Sequence, residues 1–265
     1  MFNQTEMKNK MLNKWMQLRL PFGILLATVM VTVSATSPLP NARKLLLASD
    51  QARGGNIDGL IMDSTVTAYH GDEAGKSYTI RVYSDTNNSL VTFLYPQHST
   101  GIKFLMRGRN MWLISRESRK PIPISPRQRL LGDASNGDIA TTNYGRDYDA
   151  KTIGEVLVKD VPSYKLELTA RAPNVTYHRI LYYISKDTKL ALKAEYFTAS
   201  GKHFKTAYFE YANQLQLENG SYPFVSRMEI VNELTPQEKT ELVYRNPQAS
   251  HLPPSTFDTQ YLMLN

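Results

Sequence analysis

The residues able to do chemistry are few, and their spacing does not suit it. Five histidines, His70, His98, His178, His203 and His251, are scattered along 265 residues. No two stand four apart as a helical zinc site requires, and no carboxylate joins them in a ligand pattern. Gly71-Asp72-Glu73-Ala74-Gly75-Lys76-Ser77 has the look of a phosphate loop. Three residues separate its glycines where that motif needs four, and it joins two strand-like runs where the motif must lead into a helix N-terminus. Asp138, Asp147 and Asp149 lack the spacing of a calcium loop, and no serine sits in a nucleophile elbow. The chain has no cysteine, which excludes disulfides, thiol catalysis and thiolate metal sites. The reading is a protein without catalysis, metal or cofactor.

The elements that would position such residues are mostly strands. One helix comes first: Asn41 caps it, Ala42, Leu45, Leu46, Ser49 and Ala52 share a face, and Gly54-Gly55 stops it. Strand signals follow at 64–70, 77–84, 90–95, 102–107, 110–115, 155–158, 163–170, 177–185, 190–198, 203–211, 225–232 and 239–245. The connections are short, so pairing is antiparallel. Tyr78, Ile80 and Val82 alternate with Thr79 and Arg81. Tyr164, Leu166 and Leu168 alternate with Lys165 and Glu167, and Leu190, Leu192, Ala194 and Tyr196 with Lys193 and Glu195. One face is buried and the other wet, and a sheet of this size must curl.

Residues 125–149 break the alternation. Pro126 to Gly132 reads as one helical turn, with Pro at its start and Gly at its end. Ser135-Asn136-Gly137-Asp138 opens a second short helix through Ile139-Ala140. This insert is the natural cover for an apolar interior.

Lys8, Lys10, Lys14 and Arg19 precede an uncharged run from Leu20 to Val33, then Val33-Ser34-Ala35 and a Pro-rich stretch. This order reads as an export signal over residues 1–35 with one mature domain over 36–265; the competing reading is an uncleaved anchor. Removing 1–35 leaves 27 basic and 23 acidic residues, a net +4. The excess lies in Lys103, Arg107, Arg109, Arg116, Arg119, Lys120, Arg127 and Arg129, opposed only by Glu117. It reads as a solvated rim or as a contact for anionic headgroups or an acidic partner; nucleic acid does not suit an exported chain.

Three stretches carry a resemblance. Residues 101–113 run into 119–132, then 134–140 with Asn143-Tyr144, and residues 192–201 precede Lys205-Thr206-Ala207-Tyr208-Phe209. Together they resemble the bacterial outer-membrane lipoprotein-sorting family, the relatives of the periplasmic carrier LolA, over nearly all of residues 42–265. The resemblance implies a mainly β (α+β) fold, a half-open antiparallel barrel of about eleven strands closed by short helices. It implies a hydrophobic cavity for acyl chains of lipoproteins or lipids, and no catalysis. The implied protein is a periplasmic monomer loaded by an inner-membrane transporter and relieved by an outer-membrane acceptor. The alternative is a lipid-responsive sensor or adaptor of the same fold beside an inner-membrane transporter of the RND type.

With the alternation, the resemblance places Ile80, Phe93, Phe104, Trp112, Leu166, Tyr182 and Met228 on the cavity wall. A one-residue slip would reverse that register. Leu130 and Leu131 then insert into the mouth as a lid, with Arg127 and Arg129 at the rim to bond carbonyls when closed and anionic groups when open. The competing reading of the same segment is a permanent plug.

Overall fold

The computed structural model describes residues 39–118, 120–140 and 143–264. The expected export segment and Arg119 lie outside the described residues. Helix α1 (Ala42–Gln51) starts where the Asn41 side chain accepts a hydrogen bond from the Lys44 amide, and it buries Ala42, Leu45, Leu46, Ser49 and Asp50. Strands β1 (Leu60–His70), β2 (Glu73–Ser84), β3 (Asn88–Tyr95), β4 (Lys103–Arg107), β5 (Asn110–Ile114) and β6 (Ile122–Ile124) then run outward as a meander. The chain returns from the opposite edge through β7 (Arg129–Leu131), β8 (Ala134–Ser135), α2 (Asn136–Ile139) and α3 (Tyr144–Asp147) to β9 (Tyr148–Val158). From there β10 (Val161–Ala170), β11 (Arg179–Ser185), β12 (Ala191–Phe197) and β13 (His203–Glu210) step back towards β1. The small hairpin of β14 (Asn213–Leu217) and β15 (Gly220–Phe224) precedes β16 (Arg227–Asn232) and β17 (Glu238–Ala249), and α4 (Thr259–Leu264) ends the fold.

Thirteen of these strands form one antiparallel sheet in the order β6-β5-β4-β3-β2-β1-β17-β16-β13-β12-β11-β10-β9. β6 and β9 are its edges and do not pair, so the barrel is half open. Bulges at Thr67/Tyr69, Lys165/Leu166 and Tyr183/Ile184 add local twist and bend the sheet. The concave face carries the main core, with Leu60, Ile80, Leu166, Leu168, Ile180, Tyr182, Ile184 and Tyr196 fully buried. All twelve expected strands are present; the short β6 completes the sheet.

Three expectations are corrected. Residues 126–132 form no helix. Pro126 and Gly132, which read as helix start and stop, flank the first arm of a hairpin. Leu131 pairs with Ala134 around Gly132-Asp133, and the Asn136 and Gly137 amides bond the Gln128 and Pro126 carbonyls at 2.9 Å each. The second short helix, α2, forms with Ser135 and Asp138 as a capping box.

Trp112 does not face the interior. It sits opposite Leu105, while Met111 opposite Met106 and Leu113 opposite Phe104 take the concave side. Leu105 and Ile114 belong to a separate outer cluster covered by Phe257 and Leu262 of the C-terminal segment. With both faces of β5 covered, Met111 to Ile114 are all apolar and their phase cannot be read from polarity. Leu192, too, is on the outer face: the bulge at Tyr183/Ile184 shifts it out of phase with Ala194 and Tyr196, towards Val158, Leu181 and Tyr183.

The insert packs closely on the wall. Gly132 has φ +53°, and a Cβ there would lie 2.3 Å from Thr240 Oγ1 and 3.0 Å from Ala68 Cβ. The left-handed backbone and the collision together make Gly132→Ala destabilising by roughly 2–4 kcal/mol. Urea titration of the variant against the parent checks this, with the midpoint falling at unchanged slope.

Candidate functional site

The chain must cross from the β6 edge to the β9 edge, and its route passes over the open concave face. Leu131, Ala134, Ile139, Ala140 and Tyr144 of this crossing are buried in the same core as the sheet's inner residues. The structure brings Ile80, Phe93, Phe104, Leu166, Tyr182 and Met228 together there, all buried, and leaves Trp112 outside. Phe93 meets Tyr78 and Phe104 edge-on, with centroids 5.4 and 5.1 Å apart. Beneath the crossing, the crevice bordered by Met106, Asp138, Tyr144 and Tyr177 holds about 40 Å³ of free space, room for a water molecule or so. At this place the face is filled.

The crossing is held down by polar groups. Arg127 donates through Nε to the Val175 carbonyl at 2.8 Å and through Nη2 to the Pro173 carbonyl. Arg129 is mostly exposed, 3.9 Å from Asp133. Leu131 is buried and Leu130 packs partly against the core. Lys205 on β13 points inward with Ala207 and Phe209; its ammonium donates to the Asp133 carbonyl and, at 3.2 Å, to Ser135 Oγ. The Tyr177 hydroxyl donates to Asp138 at 2.7 Å, and Thr240 Oγ1 accepts the Asp133 amide at 2.7 Å. Burial pushes the Lys205 ammonium below its ordinary range, opposed by Asp138 and Asp133; burial pushes both carboxyls up.

A second knot ties α1 to α3 and to the wall. Asp50 accepts the Gly145 amide at 2.6 Å, and Arg43 donates to the Gly145 carbonyl at 3.0 Å. A Cβ at Gly145 would sit 2.7 Å from Leu47 Cδ2, so a larger residue there would require the Leu47 side chain to move. The buried Arg53 donates to the Tyr182 hydroxyl at 3.1 Å, and its guanidinium lies 4.2 Å from the Phe209 ring centroid and 5.2 Å from that of Tyr144. Tyr177 stacks on Tyr196 with centroids 3.9 Å apart, and the Tyr144 and Tyr196 hydroxyls meet at 3.3 Å. Among the described residues no group of three or more His, Asp or Glu is placed to hold a metal ion.

Asp50, Arg53, Asp138, Tyr177 and Lys205 escape sequence reasoning. One signal was available for two of them. Lys205 falls in phase with Ala207 and Phe209, and Asp50 follows Leu46 by four on the buried stripe of α1. A charge in an apolar phase is either an error of register or a deliberate interior group.

Among the described residues the basic side chains of 103–129 do not gather into one patch. Lys103 bonds the Leu262 carbonyl at 2.9 Å, Arg109 bonds Asp147 at 3.0 Å, and Arg127 holds the insert.

The comparisons agree with this architecture. The model of a family described as "-like: Uncharacterized protein" matches residues 85–263. A LolA superfamily protein from Nitrosomonas europaea is 28% identical, covering 84% of this chain and 100% of its own with a TM-score of 0.75. The chain belongs to the family described as "-like: Uncharacterized protein" and has the LolA-like fold. Two other LolA-like comparisons establish the fold alone. A domain described as an outer membrane lipoprotein-sorting protein from Vibrio parahaemolyticus is 18% identical, covering 84% of this chain and 98% of its own at TM-score 0.69. A DUF1329 family protein from Desulfovibrio piger is 22% identical, covering 86% and 100% at TM-score 0.69. A comparison with curated proteins finds no match.

The LolA-like interior titrates in a defined direction. Burial pushes the Asp50 carboxyl from 3.8 up to about 7, offset in part by the Gly145 amide and Arg53. The folded chain therefore holds a proton that the unfolded chain releases near pH 4, and the contribution of Asp50 to stability falls as pH rises from about 4 to 7. Relative to Asp50→Asn, the parent should lose up to about 1.4 kcal/mol per pH unit across that window. Urea unfolding of both proteins at several pH values measures the difference, and a constant difference would contradict the assignment.

Proposed function

We propose that the chain is exported, cleaved after Ala35, and works in the periplasm as a carrier. It takes acyl chains of lipoproteins or lipids against the concave face of its sheet and delivers them towards the outer membrane. One observation carries this reading. The apolar face formed by Ile80, Phe93, Phe104, Leu166, Tyr182 and Met228 is covered by a crossing segment, not by closing strands, and that segment is fastened largely by side-chain hydrogen bonds. A fully closed barrel could admit cargo only by breaking a ladder; this one need release only side-chain bonds, those of Arg127, Lys205, Tyr177, Thr240 and Asn232 among them.

Magnitudes support exchange of cover for cargo. Fourteen buried methylenes are worth about 11 kcal/mol at roughly 0.8 kcal/mol each. Lifting Leu131, Ile139 and Tyr144 costs about 2 kcal/mol for each side chain, and each released hydrogen bond about 1 kcal/mol. The two sides are comparable, so a single chain roughly balances the cover and a multiply acylated cargo displaces it. The identity of the Vibrio domain as a lipoprotein-sorting protein is in keeping with such a cargo.

Delipidated protein should bind a solvatochromic fatty acid saturably at micromolar concentration, and phospholipid should displace it. Arg127→Met, which frees the Val175 and Pro173 carbonyls, should speed probe uptake several-fold while lowering unfolding free energy by only about 1–2 kcal/mol. Stopped-flow fluorescence reads the rate. Absence of saturable binding in the parent would end the carrier reading.

A further inference from the structure

The β9 edge leads into a hairpin with an apolar end and a groove of lysines on its convex side. β9 and β10 are joined by Lys159-Asp160, both with positive φ (46° and 65°), the geometry of a narrow two-residue turn. Beside this tip Leu157 is 68% exposed, Ile153 40% and Val161 38%, a concentration of large apolar groups in water within nine residues. The convex side holds a groove of about 350 Å³, lined by Lys159, Lys165 and Lys193, by Tyr183 and Tyr208, and by aliphatic residues of β9, with no carboxylate in its wall. The Lys159 ammonium lies 4.8 Å from the centroid of Tyr208, and those of Lys165 and Lys193 lie 5.5 and 5.2 Å from that of Tyr183. Lys193 is taken by Glu195 at 2.7 Å. Among the described residues Lys159 and Lys165 have no ion pair.

We propose that this hairpin and groove dock the protein on an anionic phospholipid bilayer. Leu157 and Val161 enter the headgroup layer end-on, and Lys159 and Lys165 face lipid phosphates from tyrosine platforms. Tyr183 and Tyr208 sit at the depth where a ring with one wet end is most stable. Charge complementarity selects this occupant, since a groove walled by amines and apolar groups fits a surface of phosphates over hydrocarbon. The site lies outside the concave face and does not depend on acyl carriage. The crossing segment is anchored at Pro173 and Val175, which follow the Ala170 end of β10, while the docking tip is at its Val161 end. Docking and uncovering can therefore be separated by mutation.

The test is vesicle flotation with a chain beginning at residue 36, whose compact unit starts at Leu39. Phosphatidylglycerol vesicles should float the protein at low salt, phosphatidylcholine vesicles should not, and 0.5 M salt should weaken the binding. Leu157→Ser should reduce it, and Lys159→Gln with Lys165→Gln should reduce it about twenty-five-fold, at about fivefold for each charge. Circular dichroism melts confirm that these surface variants stay folded, and their uptake of a fatty-acid probe should equal the parent's. Equal binding to both lipids, parent-like binding by the variants, or no flotation overturns the proposal, whatever the outcome for acyl carriage.

Discussion

A sheet with two unpaired edges forces one stretch of chain to travel between them, and everything distinctive about this protein follows from that crossing. The route from β6 to β9 passes over the concave face, so the backbone of residues 126–140 and 143–147 enters a region where unsatisfied amides and carbonyls cost several kcal/mol each. Part of the need is met locally, by the hairpin around Gly132-Asp133 and the capping box of α2. The rest falls to the wall: Lys205, Thr240 and Asn232 reach Asp133, and Tyr177 reaches Asp138. An interior that must greet a crossing chain this way cannot be wholly apolar, which is why an ammonium, a guanidinium and three carboxyls are buried among tyrosines and leucines.

This arrangement also bears on the choice between lid and plug. A plug would be held by interdigitated apolar side chains, whose loss is felt as cavities. Here Leu131 and Ile139 supply such contacts, yet most of the fastening passes through directional bonds made at the far ends of long side chains. Such bonds are lost within a small displacement and are satisfied afterwards by water or by polar cargo atoms. In the proposed carrier the cover is thus stable when seated and cheap to hand over once its first few bonds are released. Asp50, with its proton held to about pH 7, marks the place where α1 and α3 meet under the same constraint.

Much of the fold is legible in the residues themselves. The Asn41 cap and the stripe of Leu45 and Leu46 define α1, and alternation through Ile80–Val82 and Leu166–Leu168 finds the concave face. Legibility fails where one physical cue serves two structures. Pro126 and Gly132 bound a hairpin arm as readily as a helical turn. Trp112 sits on a strand whose two faces are both covered, so polarity carries no phase there, and the bulge at Tyr183/Ile184 turns Leu192 away from Ala194 and Tyr196. The polar fasteners are unreadable for a different reason: Lys205 and Asp133, or Tyr177 and Asp138, stand 72 and 39 residues apart, and nothing local announces that they meet.

The central claim is that the crossing segment, and not the sheet, yields to acyl cargo. Hydrogen exchange followed by mass spectrometry, with and without saturating acyl ligand, tests it most directly. The account predicts that peptides spanning 126–140 lose protection when ligand binds while those of β10, β11 and β12 keep theirs. Saturable ligand binding with 126–140 as protected as before would contradict it.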